Sequence, residues 1–278
     1  MADVHVLPRS AVNIASRSDL TEVPFRGGGF IFKSHKGVGI IGFIVLFGLW
    51  ELSVRAGWVS PVFLPSVSDV ALALWHLAAS GDLWLHLRAS LMRFFFGWGL
   101  GTSAGILLGF CIGVWSLARG IGLPLVSALF PVPKIALLPL FILWLGIGES
   151  SKIATIGLGC FFTTVIATFS AIDAVPRNLI RMGQSFNVPP LAVLTKVVLP
   201  GALPGILACF RITTSICLII LVSAEMIGAQ YGIGSLIILT GNLMQTDQLL
   251  AGVVVLSMLG LCIGYALSRL ERWLLRWR

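Results

Sequence analysis

Residues 94–116 read FFFGWGLGTSAGILLGFCIGVWS, a run without a charge that carries glycine at 97, 101, 105, 109 and 113. A bilayer core about 30 Å thick takes about 20 helical residues to cross, and this run supplies them. Glycine at every fourth position drifts about 40° per step around an ideal helix, so the five trace a slanted groove. Another helix can approach such a groove backbone to backbone. The stretch therefore reads as a tightly packed transmembrane helix.

Composition extends that reading to the whole chain. Hydrophobic residues make up 57% of the 278 and charged residues 11%, against roughly a quarter charged in an ordinary soluble domain. Further apolar runs at 37–55, 121–148, 153–172, 206–228 and 250–268 bring the expected spans to six. The fold class is all-α, a polytopic transmembrane domain over 37–278 preceded by a tail, 1–36. The run 121–148 contains Pro124, Pro131, Pro133 and Pro139, so it is expected to be broken and to border protein or water instead of lipid. Between the first two spans, Ser66 and Asp69 form an N-cap pair for a surface helix ending at Gly81.

The formal net charge of +8 invites a nucleic-acid partner, but the basic residues fall between apolar runs. That is the pattern of membrane topology. With an even number of spans, fourteen Lys and Arg lie on one side and four on the other, with Lys134 unassigned. Both termini and the segment 173–205 are thus expected in the cytoplasm. The five cysteines sit in apolar stretches and read as small buried hydrophobes. The four histidines lack metal-ligand spacing, lie outside the expected spans and read as solvated or interfacial. No metal site, catalytic constellation or phosphate-binding glycine loop is present in the sequence.

The segment 173–205 carries the functional signal. A helix is expected from Pro176 to about Asn187, where the chain reverses, and a second short helix over 190–198. Such a helix-turn-helix is a docking knob for a soluble partner. Its residues Arg181-Met182-Gly183, Asn187 and Val197-Val198-Leu199-Pro200 stand at the spacing of the EAA loop of ABC importer permeases, which this segment resembles. Arg181 replaces the glutamate and Asn187 the glycine of that pattern. The runs SPVFLPSVSDV (60–70), PVPKIALLPLFILWLGIGESSK (131–152), LVSAEMIGA (221–229) and TDQLLAGVVV (246–255) resemble the nitrate, taurine and aliphatic-sulfonate branch of that family.

The resemblance implies a type I importer permease fold and a homodimer. It also implies two cytoplasmic ATPases that hold ATP and Mg, an extracytoplasmic binding protein, and no cofactor or ATPase site on this chain. It places coupling to the ATPase at Arg177, Arg181, Gln184, Ser185, Phe186, Asn187 and Pro189. Candidates for a substrate pathway or gate are Lys134, Thr213, Thr214, Ser215, Ser223 and Glu225. Each has a plainer alternative. Lys134 could snorkel to the cytoplasmic interface, the hydroxyls could bond back to their own helix, and Glu225 could be a structural hydrogen-bonding group. An ion-coupled secondary transporter is the alternative function; it calls for coupling carboxylates or histidines deep in the spans.

Overall fold

The computed structural model describes residues 37–276, and every regular element among them is helical. The expected tail 1–36, with His5, His35 and its five basic residues, lies outside the described residues, as does Arg278. The chain divides into two units, 1–48 and 49–278, and α1 (Val38–Arg55) runs across the division. It is followed by α2 (Val67–Ser80), α3 (Asp82–Val114), α4 (Ser116–Leu129), a 3-10 turn (Lys134–Leu137) and α5 (Leu138–Leu145). Then come α6 (Glu149–Asp173), α7 (Arg177–Ser185), α8 (Pro190–Val193), a π-helical turn (Leu194–Val198), α9 (Leu199–Gly228), α10 (Ile233–Asn242) and α11 (Thr246–Leu274).

Among the described residues, four helices are long and apolar enough to cross a membrane: α3, α6, α8 to α9 taken as one, and α11. The pair formed by α4 and the segment Lys134–Leu145 adds a fifth if counted as one span bent by 87°. That bend is the break expected from the prolines. The six spans expected from sequence also include 37–55, where α1 has 18 residues, at the short end of what crosses a bilayer. The second span begins at Asp82, not near 94, because the helix continues through Arg88 and Arg93. The fifth begins at Pro190, where the sequence suggested 206. Helix α10 was not anticipated.

The capping box on α2 forms as expected, with Ser66 Oγ accepting from Asp69 N and the Asp69 carboxylate accepting from Ser66 N. Gly81 closes the helix in the left-handed conformation, φ 90°. The buried face of α2 (Val70, Ala73, Leu77) joins Ile233 and Leu236 of α10 and Ala251 and Val255 of α11 in one apolar cluster.

The glycine groove of α3 receives α6, the most extensive helix pairing in the chain. A Cβ on Gly101 would stand 2.2 Å from the Gly157 carbonyl oxygen, and one on Gly109 would stand 2.6 Å from that of Val165. The backbones meet there, and only glycine leaves room. The other face of α6 packs on α9, where Cys160 and Cys217, both buried, are joined as a disulfide with Cα atoms 6.2 Å apart. The burial was expected. The pairing was not, because nothing in the sequence links positions 57 apart.

The π turn before α9 has a local cause. Pro200 has no N–H to give to the carbonyl of Lys196 and its ring crowds that carbonyl. The preceding backbone widens, and Leu199 N donates to Leu194 O, five residues back. A single wide turn lets the helix continue past the proline.

Candidate functional site

At one end of the bundle α7 and α8 form a short helical hairpin. Its reversal is a Schellman motif: Asn187 N donates to Gln184 O and Val188 N to Gly183 O, each at 3.0 Å. Asn187 takes φ 52°, the left-handed conformation expected of it. Gly183 lets the two helices close, since a Cβ there would stand 3.1 Å from a methyl of Val193. Arg177, Arg181, Gln184, Ser185, Phe186, Asn187 and Pro189 are all exposed. Phe186 is 77% exposed and Leu191 70%, so Phe186 does not pack against the second helix of its own hairpin.

Behind the hairpin lies a cavity of about 560 Å³ bounded by Arg119, Asp173, Arg177, Arg181, Gln184 and the apolar side chains of Ile180 and Val193. Arg119 Nη1 donates to Asp173 Oδ1 at 3.1 Å and lies over the ring of Phe169. This ties the start of α4 to the end of α6, beside the hairpin.

At the opposite end of the bundle stands an ionic cluster that the sequence did not reveal, with Arg93 and Glu225 buried and Glu149 at its exposed rim. Arg93 on α3 is 2% exposed. Its Nε and Nη2 donate to the two carboxylate oxygens of Glu149 at 2.5 and 2.7 Å. Its Nη1 donates to Glu225 Oε1 at 2.7 Å and to the Tyr231 carbonyl at 2.6 Å. Glu225 also accepts from Ser90 Oγ at 2.8 Å and from Gly234 N at 2.9 Å. Gly232, φ 145°, is fixed by the same cluster: a Cβ would fall 2.5 Å from the Glu225 carboxyl carbon. The cluster joins the outlying ends of α3, α6, α9 and α10.

The cluster gives Glu225 a position and partners. Each carboxylate oxygen of Glu225 is hydrogen-bonded within this chain, and Glu225 shares the single positive charge of Arg93 with Glu149. A buried pair of this kind stands only when its geometry satisfies both ions. His86, on the same face, bonds through Nδ1 with the Gly232 backbone at 2.7 Å; the expectation of a histidine outside the spans gives way to one half-buried on α3. His76 is exposed. Arg93 and Glu149 were missed because they lie 56 positions apart at the edges of apolar runs.

The hydroxyl candidates are dispersed. Thr213 accepts from Trp98 Nε1 at 3.2 Å and donates to Phe210 O. Ser215 and Ser223 bond back to the carbonyls of Arg211 and Ile219, as the plainer alternative held. Thr214 is buried without a hydrogen-bond partner. Lys134 sits at the break between α4 and α5. Its Nζ donates to the Phe130 carbonyl and, at 3.5 Å, to that of Leu129, over the rings of Phe130 and Phe162. Phe162 lies midway along α6, so the Lys134 ammonium stands beside the middle of that helix.

Four apolar helices long enough to cross, with a bent pair that makes a fifth, and a polar hairpin at one end define a multi-pass integral membrane protein. Residues 101–277 match the model of the binding-protein-dependent transport system inner membrane component, and the chain belongs to that family. It is 36% identical over 229 residues to the putative aliphatic sulfonates transport permease protein SsuC of Escherichia coli, covering 82% of this chain and 87% of that protein. It is 35% identical over 238 residues to the taurine transport system permease protein TauC of the same organism, covering 84% and 86%. The fold is similar to a chain of the inward-facing MetNI methionine ABC transporter, with a TM-score of 0.56 at 23% identity over 71% of this chain and 95% of that one. The chain is accordingly a transport permease subunit of the inner membrane and not itself an ATPase.

Proposed function

We propose that this chain is the permease of an ATP-driven importer for a small sulfonate- or taurine-like anion. Nitrate and bicarbonate are further candidates of the same branch. Two copies surround the pathway, two ATPases bind the cytoplasmic face, and a binding protein delivers substrate from outside. The observation that carries the coupling assignment is the α7–α8 hairpin, closed by a Schellman motif, with Phe186 and Leu191 largely exposed. An aromatic side chain exposed on a fixed turn is suited to be the buried anchor of an interface. The cytoplasmic placement of this hairpin follows from the excess of basic residues on its side.

Arg177 and Arg181 favour an ATPase surface that carries carboxylates. The ion-coupled alternative calls for a carboxylate free to take up and release its ion, whereas Glu225 is already bonded to Ser90, Arg93 and Gly234 of its own chain. The test is ATP hydrolysis by the permease with co-expressed ATPase. Hydrolysis should rise when the binding protein is loaded with an alkanesulfonate. A complex indifferent to loaded binding protein would refute the reading.

A further inference from the structure

We propose that Lys134 is the cationic contact for a transported anion at mid-depth in the pathway, on the face where α4 breaks from α5. The inference rests on the importer reading above and names a site within it. Phe162, whose ring lies 5.2 Å from the Lys134 ammonium, is the fourteenth of the twenty-five residues of α6. At 1.5 Å per residue, Lys134 is thus roughly 20 Å from one end of that helix and roughly 16 Å from the other. Four methylenes reach neither face of the membrane, which removes the snorkelling explanation.

The charge is also unmatched. Arg93 binds two carboxylates, whereas Lys134 has only the carbonyls of Leu129 and Phe130 and takes part in none of the ion pairs among the described residues. An ammonium has three N–H donors, and two are directed at those carbonyls. One remains for an acceptor oxygen that the chain does not supply.

A second observation points to the same face. The backbone turns through 87° there, and Pro131 and Pro133, both exposed, contribute no N–H. Irregular backbone and an unmatched charge at mid-depth are each tolerated only against protein or water. Their coincidence turns this face away from lipid, as the wall of a pathway requires. The side chain is half-buried and seated between two aromatic rings, so its position is fixed while one side stays open. One free N–H makes a single charge-assisted bond to a sulfonate oxygen, without the bidentate grip of a guanidinium. Such a contact selects for an anion and still releases it.

The test uses the full importer, with its ATPases and binding protein, in proteoliposomes. Uptake of ethanesulfonate and taurine by Lys134→Met should fall about tenfold or more, the scale of one charge-assisted hydrogen bond. Lys134→Arg, which keeps the charge, should lose less uptake than Lys134→Met. In the second arm, Lys134→Cys in a background with Cys111, Cys209 and Cys262 replaced by serine should react with a water-soluble anionic thiosulfonate. Uptake by Lys134→Met within twofold of the wild type overturns the proposal, and so does a cysteine at 134 that stays unreactive with and without ATP. Absence of sulfonate uptake in the wild-type importer refutes the substrate reading instead, and the labelling arm still decides whether position 134 faces water.

Discussion

Replacing Arg93 with methionine keeps the bulk of the side chain but removes the positive charge beside Glu225. The Glu225 side chain has no exposed surface, so its carboxylate is left with Ser90 Oγ and Gly234 N alone. Breaking a buried ion pair by removing one partner costs about 3–5 kcal/mol, roughly a hundred- to several-thousand-fold in the unfolding equilibrium. Glu225→Gln should cost less, about 1–3 kcal/mol. Its amide still bonds, and Arg93 keeps both of its bonds to Glu149. The double variant Arg93→Met/Glu225→Gln should then be more stable than Arg93→Met alone, since the orphaned charge is gone. The assay is denaturant unfolding of the purified chain in lipid–detergent micelles, followed by tryptophan fluorescence. If Arg93→Met costs under about 1 kcal/mol, or the double variant is no more stable than it, the cluster is not the junction described.

Gly101→Ala should destabilise the chain by about 1–3 kcal/mol, the scale of an overpacked contact, because the new methyl meets the Gly157 carbonyl. Gly105→Leu should lower yield through the same contact inside one chain, where the glycine run alone left open a contact between copies. A normal yield of well-folded protein for both would refute the α3–α6 contact. Phe186→Ala should weaken co-purification of the ATPase or uncouple hydrolysis from uptake, with membrane insertion unchanged; normal transport with the ATPase bound would place the docking site elsewhere. Asn187→Gly should be nearly neutral by thermal unfolding, whereas Asn187→Val should cost about 1–2 kcal/mol, because a β-branched residue resists the left-handed conformation. For topology, a cysteine at 82 should react with an impermeant thiol reagent on intact cells and one at 275 should not. The reverse pattern would invert the orientation.

Local chemistry was legible without a structure. Apolar length gave the four straight crossings and the bent one, the Ser66 and Asp69 spacing gave the α2 cap, Pro131 and Pro133 gave the break, and Asn187 gave the reversal in the hairpin. Each depends on residues within a few positions of one another, where backbone sterics and hydrogen bonding act directly. The starts of the second and fifth spans were misplaced because Arg93 and Pro200 look like boundaries. In the fold, Arg93 is neutralised by distant carboxylates and Pro200 is absorbed by one wide turn. Tertiary structure alone decided that the glycine groove of α3 takes α6 of the same chain, and that Glu225 meets Arg93, Ser90 and Gly234. It alone also set Lys134 beside the middle of α6 without a carboxylate partner. Those outcomes depend on which helices become neighbours, and a residue's charge or size does not say what will stand opposite it.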